Sequence, residues 1–144
     1  MNDYETDFYA WAMANASALR LGHLNQIDAE HIAEELETLG KAEKRELSNR
    51  LAVLLTHLLK WAYQPERQGN SWRYTIQEQR VRVRDVIQDN PSLKATQDEA
   101  LEHAYRLARL RAARQTGKDL ADFPAVCPWM LEQALDEGFW PGRS

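Results

Sequence analysis

The sequence has one cysteine, Cys127, in 144 residues, so no internal disulfide can form and no thiolate cluster can hold zinc or an iron–sulfur centre. That suits a reducing compartment, and a cytoplasmic location is the expectation. Apolar runs of about 18 or more residues are missing, because the densest stretch, LAVLLTHLLKWAY, is interrupted by His57 and Lys60. No membrane span is expected. The acidic start MNDYETDFY lacks the basic-then-apolar order of a signal peptide. Glycine-rich phosphate loops, GxSxG, HExxH and CxxC are all absent. Paired Glu-x-x-His motifs of a di-iron bundle are missing too, the nearest approach being Asp28 with His31. The four histidines, His23, His31, His57 and His103, share no spacing that would gather them on one helix face. Neither a cofactor nor a metal is expected. A net charge of −4 disfavours nonspecific nucleic-acid binding, which calls for a basic domain.

What is present is helical. With 44% hydrophobic and 28% charged residues, the chain has enough apolar content to bury a core. Its length suits one domain, residues 1–144. Thr6 can cap a first helix carrying Phe8, Trp11, Ala12 and Leu19, with Gly22 as its stop. Asp28 can cap a second, striped by Ile32, Leu36 and Leu39 and broken or bent at Gly40. Leu47, Leu51, Leu54, Leu58 and Trp61 step by four and three along a central third helix, widened by Leu55 and Leu59.

Pro65 removes a backbone donor and pushes Gln64 out of helical geometry, so the chain turns there. Ser71 can cap the next helix, which carries Trp72, Ile76, Val83, Val86 and Ile87 and should fold back as the hairpin partner of the central one. A further helix is expected from near Ser92 toward Gly117. A short one should follow from Pro128, and the tail FWPGRS reads as a hydrophobic strap. The expected fold is all-α, an up-and-down bundle of four to five main helices plus a short C-terminal helix and strap. No strand alternation, repeat or linker is evident.

Two places could carry chemistry. The corner from His57 to Trp72 brings Lys60, Trp61, Gln64, Glu66 and Arg67 around Pro65, and its two tryptophans can bracket a shallow aromatic cleft or simply stiffen the joint. His57 can also meet Glu35, if the second helix packs there, and Arg80 from across the hairpin. Carboxylate, imidazole and guanidinium together can orient an anion, carry a proton or lend metal ligands, or satisfy one another. Glu34 and Glu35 point about 100° apart, so at most one faces inward. Arg73, Arg80 and Arg84 step by seven and four along one face and could meet a nucleic acid. Cys127, before a helix start, could be an activated thiol, but a buried small side chain is the plainer reading.

Four stretches, YETDFYAWA, IAEELETLGKAEKREL, HLLKWAYQPERQGNSWRYTIQEQR and FPAVCPWMLEQALDEGFWP, give the chain a wider kinship. Through them it resembles the bacterial domain-of-unknown-function 29 family along nearly its whole length. The resemblance implies a compact, almost entirely helical domain and brings no activity with it. It also implies that Asp7, Glu35, His57, Lys60, Gln64, Trp72, Glu78 and Arg80 belong to the family's pattern. The leading expectation is a noncatalytic binding or interaction protein, with a homodimer as one form. Its rivals are a small enzyme or metal-dependent hydrolase using Glu35, His57 and Arg80, and a nucleic-acid accessory protein using the arginine face.

Overall fold

A capping carboxylate, two glycines and a proline set several of the helix ends. A computed structural model of the chain describes residues 4–142, and among these it contains five α-helices and no strand. Helix α1 spans Phe8–Arg20 and is capped by Asp7, whose Oδ1 accepts from the Ala10 backbone N–H at 3.1 Å. The expected cap, Thr6, lies one residue too early. Gly22, at φ +76°, takes the left-handed turn that closes this end.

Helix α2 spans Ala29–Tyr63, so the expected second and third helices are one element of 35 residues. Of the break or bend expected at Gly40, the break does not occur. A helical glycine costs about 1 kcal/mol relative to alanine but removes no backbone hydrogen bond, and the leucine, lysine and glutamate around it favour helix. By contrast Pro65 does end α2. Gln64 leaves helical geometry at φ −136° and ψ 59°, and a single 3₁₀ turn, Pro65–Arg67, reverses the chain.

The described chain divides into two compact units, one up to Ala42 and one from Glu43 onward. In the first, α1 and the start of α2 are joined through a 3₁₀ turn, Leu24–Gln26. Asn15 pins them: its Nδ2 donates to the Trp11 carbonyl at 2.9 Å, while its Oδ1 accepts from the Asp28 backbone N–H at 2.7 Å. Among the described residues of this unit, Trp11, Asn15 and Ala18 are the ones fully buried. Phe8 and Leu19, expected on the inner face, are exposed, as are Tyr9, Met13, Leu36 and Leu39.

The second unit holds the main core. Leu47, Leu51, Leu54, Leu55, Leu58 and Leu59 of α2 are all sealed from solvent, each contributing roughly 1.5 to 3 kcal/mol of burial. Ile76 and Val83 come from α3, Asn70–Asp89, which starts one residue before Ser71 with Gly69 as its cap position. The hairpin is fixed at both ends. Lys60 Nζ lies 4.8 Å from the Trp72 ring centroid, and the Asn90 side chain donates to Glu43 at 3.2 Å. Those pairs set α3 antiparallel to α2.

Pro91–Thr96 forms a 3₁₀ turn, so helix α4 runs Gln97–Thr116 rather than from Ser92. Its Ala100, Ala104, Ala108 and Ala112, four apart, form a small-residue stripe buried in the core. Gly117, at φ +74°, ends it. Lys60 Nζ donates to Gln115 Oε1 at 2.9 Å, which aligns the C-terminal ends of α2 and α4. The chain then returns along α4 through a 3₁₀ turn at Leu120–Asp122 and an irregular stretch to the short helix α5, Leu131–Leu135. Pro128 is outside α5, which is shorter than its sequence suggested. The tail straps back: Trp140 packs on Trp61 with ring centroids 4.7 Å apart, and Pro141 is buried. Arg143 and Ser144 of the expected strap lie outside the described residues. Among the described residues no helix is long and apolar enough to cross a membrane.

Candidate functional site

The residues expected around Pro65 are mostly committed to one another and to backbone. His57 Nδ1 donates to the Val53 carbonyl at 2.9 Å, and burial pushes the imidazole pKa down, keeping it neutral at physiological pH. Trp61 is 8% exposed, closed over by Trp140. Burial also lowers the Lys60 pKa, where the ammonium bridges Trp72 and Gln115. Gln64 ends α2, and the Gln68 side chain, rather than a ligand, takes the Trp61 carbonyl at 2.9 Å. Glu78 is exposed and pairs along its own helix with Arg82 at 3.2 Å. The corner is a packed joint.

Arg80 is 1% exposed and works on the backbone of the strap. Its Nε donates to the Ala134 carbonyl at 2.9 Å and its Nη2 to the Phe139 carbonyl at 2.6 Å, with Trp140 over the guanidinium at 5.2 Å. Burial lowers its pKa, and Asp136 opposes that shift. One helical turn on, Arg84 donates to the Leu135 carbonyl and approaches Glu137 at 3.5 Å. Arg73 is held by Asn70 at 3.1 Å. The three arginines therefore do not present one free basic face, because the middle one is buried and spent on carbonyls.

Glu35 does not meet His57 through the packing of one helix on another, since both belong to the same helix. It accepts the Tyr4 hydroxyl instead, which pushes the tyrosine pKa up to about 12. The Tyr4 ring stacks on His31 at 4.2 Å, and His31 Nδ1 donates to Asp28 Oδ2 at 2.7 Å. Trp11 Nε1 donates to the same carboxylate oxygen at 2.9 Å. Hydrogen bonds from His31 and Trp11 hold Asp28 below the usual carboxylate range, and Asp28 raises the His31 pKa. Asp28, His31 and Glu35 follow i, i+3, i+7 spacing, the signal that could have grouped them. The cluster closes the first unit where apolar packing is thin. Among the described residues no group of three or more His, Cys, Asp or Glu side chains could hold a metal ion.

A concave surface lies elsewhere in the second unit. The N-terminal half of α4 and the returning segment before α5 enclose a groove of 650 Å³. Leu101, Tyr105 and Leu131 are buried in its floor, and Val126 and Met130, 78% and 75% exposed, form an apolar lip. The wall is held in place from α4. Tyr105 donates its hydroxyl to the Pro124 carbonyl at 2.5 Å, and Arg109 reaches the Phe123 carbonyl at 3.2 Å. Cys127 faces the groove as a half-buried thiol donating to the Trp129 carbonyl at 3.3 Å, and burial pushes its pKa up. It is therefore a packing residue and no activated nucleophile. Nothing in the sequence marked this groove, because its two walls lie some twenty to thirty residues apart and neither is a motif.

Fold and site together define a small all-helical protein with a preformed apolar groove and a closed aromatic joint. The chain belongs to a family described as domain of unknown function DUF29, whose model matches residues 4–140. No curated protein and no solved structure matches it.

Proposed function

We propose that this protein is a noncatalytic binding protein that receives a segment of a partner protein in the groove between α4 and residues 124–132. The observation that carries the reading is the groove itself: a buried apolar floor beneath two apolar side chains, Val126 and Met130, left in solvent. Exposed apolar side chains beside a shaped cleft are what a recognition surface needs. In this reading Lys60, Trp61, Gln64 and Trp72 stiffen the hairpin, and Arg80 holds the strap that closes one end of α5. His57, neutral and bonded to its own helix, adds no acid–base step.

The test is a selection of random peptides displayed on phage against the immobilised protein, followed by binding of the enriched peptides to a Val126→Ser/Met130→Ser variant. Both positions are exposed, so the variant should fold. Binding lost in the variant supports the groove. Enriched peptides that bind both proteins equally, or turnover of a substrate by the purified protein, would overturn the reading.

A homodimer is the second reading, favoured by the exposed Phe8, Tyr9, Met13, Leu36 and Leu39 of the first unit. Sedimentation equilibrium checks it: a dimer should dissociate in a Leu36→Glu/Leu39→Glu variant, and a monomer at high concentration would remove the idea.

A further inference from the structure

The charge around the groove bears on what enters it. Asp98 and Glu102 sit one turn apart on the α4 wall, and Glu132 stands on the opposite side at the start of α5. All three are exposed. Among the described residues none of them takes part in an ion pair, whereas Asp28, Glu46, Glu78 and Glu137 do. Arg106 is the single base in the lining. An apolar floor thus carries a rim of unspent negative charge.

A second hollow, of 510 Å³, shares Leu131 and Glu132 with the groove but sets two bases, Arg84 and Lys94, against that one carboxylate. The negative rim is therefore local to the first groove and not a property of this whole surface. A phosphate-bearing partner would meet repulsion there.

We infer that the groove takes a basic amphipathic peptide segment of another protein: one large apolar side chain in the floor, with lysine or arginine on either side of it. The inference rests on the binding function proposed above and names its partner's chemistry. The groove volume suits one or two large side chains. Lysine and arginine fit the rim twice over, because their aliphatic stems can lie along Val126 and Met130 while the charged ends reach Asp98, Glu102 and Glu132. Exposed charges of this kind contribute to encounter rate and discrimination more than to raw affinity, and they act within about 8 Å at physiological salt.

The experiment uses two fluorescein-labelled peptides with the same leucine–tryptophan core, one flanked by arginines and the other by glutamates, titrated by anisotropy at low and high salt. The arginine peptide should bind about tenfold tighter at low salt, with the preference shrinking as salt rises. A Glu102→Lys/Glu132→Lys variant, altered only at exposed positions, should reverse the preference, and Lys94→Glu should leave it unchanged. Equal binding of both peptides, abolished by Val126→Ser/Met130→Ser, would overturn the charge inference and leave the groove standing. Arginine-peptide binding that ignores both groove variants would reveal general attraction to an acidic protein and overturn the inference. Binding of neither peptide would also overturn it, with the display selection still deciding the groove itself.

Discussion

Arg80 donates its Nε–H to the carbonyl of Ala134 at 2.9 Å, a bond that spans 54 residues and ties the middle of α3 to α5. Helix α5 has five residues, too few to persist unaided. Its position depends on neighbours, and Arg80 holds both it and Phe139 beyond it.

Replacing Arg80 by methionine keeps much of the volume and leaves the Ala134 and Phe139 carbonyls without their donor. Hydrogen bonds from a charged group contribute about 1.5 to 3 kcal/mol each, and relief of the guanidinium's burial offsets part of the two, so a total loss of about 2 to 4 kcal/mol is expected in urea denaturation. The damage should be local before it is global, with protease cleavage first appearing between Leu131 and Trp140. Arg80→Lys should recover less than half, since an ammonium cannot reproduce the guanidinium's fixed fork. A methionine variant within about 0.5 kcal/mol of the parent would mean that Arg84 and the packing of Trp140 on Trp61 suffice to hold the strap.

His31 and His57 should respond to pH in opposite senses. Asp28 raises the His31 pKa, so this contribution is complete below about pH 6.5 and is lost as pH rises through the folded value. The Asp28 pKa is lowered by the same contact. Its contribution is complete above about pH 4 and is lost as pH falls through the lowered value. The first unit should therefore be best held between about pH 4 and 6.5. Burial lowers the His57 pKa, so the second unit gains its share above about pH 6.5 and loses it on acidification through the folded value. Hydrogen exchange corrected for intrinsic rates should show α1 amides more protected near pH 5.5 than near pH 8, and α2 amides around Val53 less so. His31→Gln should flatten the first response alone.

Tyr105 offers a gentler probe of the groove wall. Its hydroxyl is held by the Pro124 carbonyl, and burial pushes its pKa up, so the phenol stays protonated and donating. Tyr105→Phe should cost about 1 kcal/mol in thermal or urea unfolding. Arg109 still holds the preceding carbonyl, so the segment should loosen rather than detach. Peptide affinity in the groove should fall along with that rigidity, and unchanged affinity would show that the wall is set by Arg109.

Much of the second unit was legible because its apolar residues repeat. The leucines from Leu47 to Leu59 and the alanines from Ala100 to Ala108 each mark one helix face, and Pro65 leaves the chain no helical continuation. Periodicity says which face is buried, though not what buries it. Arg80 sits in the family's pattern beside His57 and reads as a chemical group, yet its partners are carbonyls more than fifty residues away. The first unit was harder. Phe8 and Leu19 carry the right spacing and end up half in solvent, because this unit closes through hydrogen bonds among Asn15, Asp28 and His31 and through ring contacts of Tyr4 and Trp11, which helical spacing does not reveal.

Gly40 shows how one letter can mislead, and it can be tested with two substitutions of opposite sign. A glycine between acidic and leucine-rich turns reads as a break, but α2 passes through it, and a methyl group placed on its Cα would meet nothing within 4 Å. Gly40→Ala should therefore stabilise the chain by about 1 kcal/mol, the ordinary gain for filling a helical glycine in open space. Gly117 also has open space around it, but at φ +74° an alanine there would be strained, and Gly117→Ala should cost about 1 kcal/mol. Melting followed by circular dichroism separates the two. If Gly40→Ala instead lowers the melting temperature, the glycine is needed for its own conformational freedom and not merely tolerated in the helix.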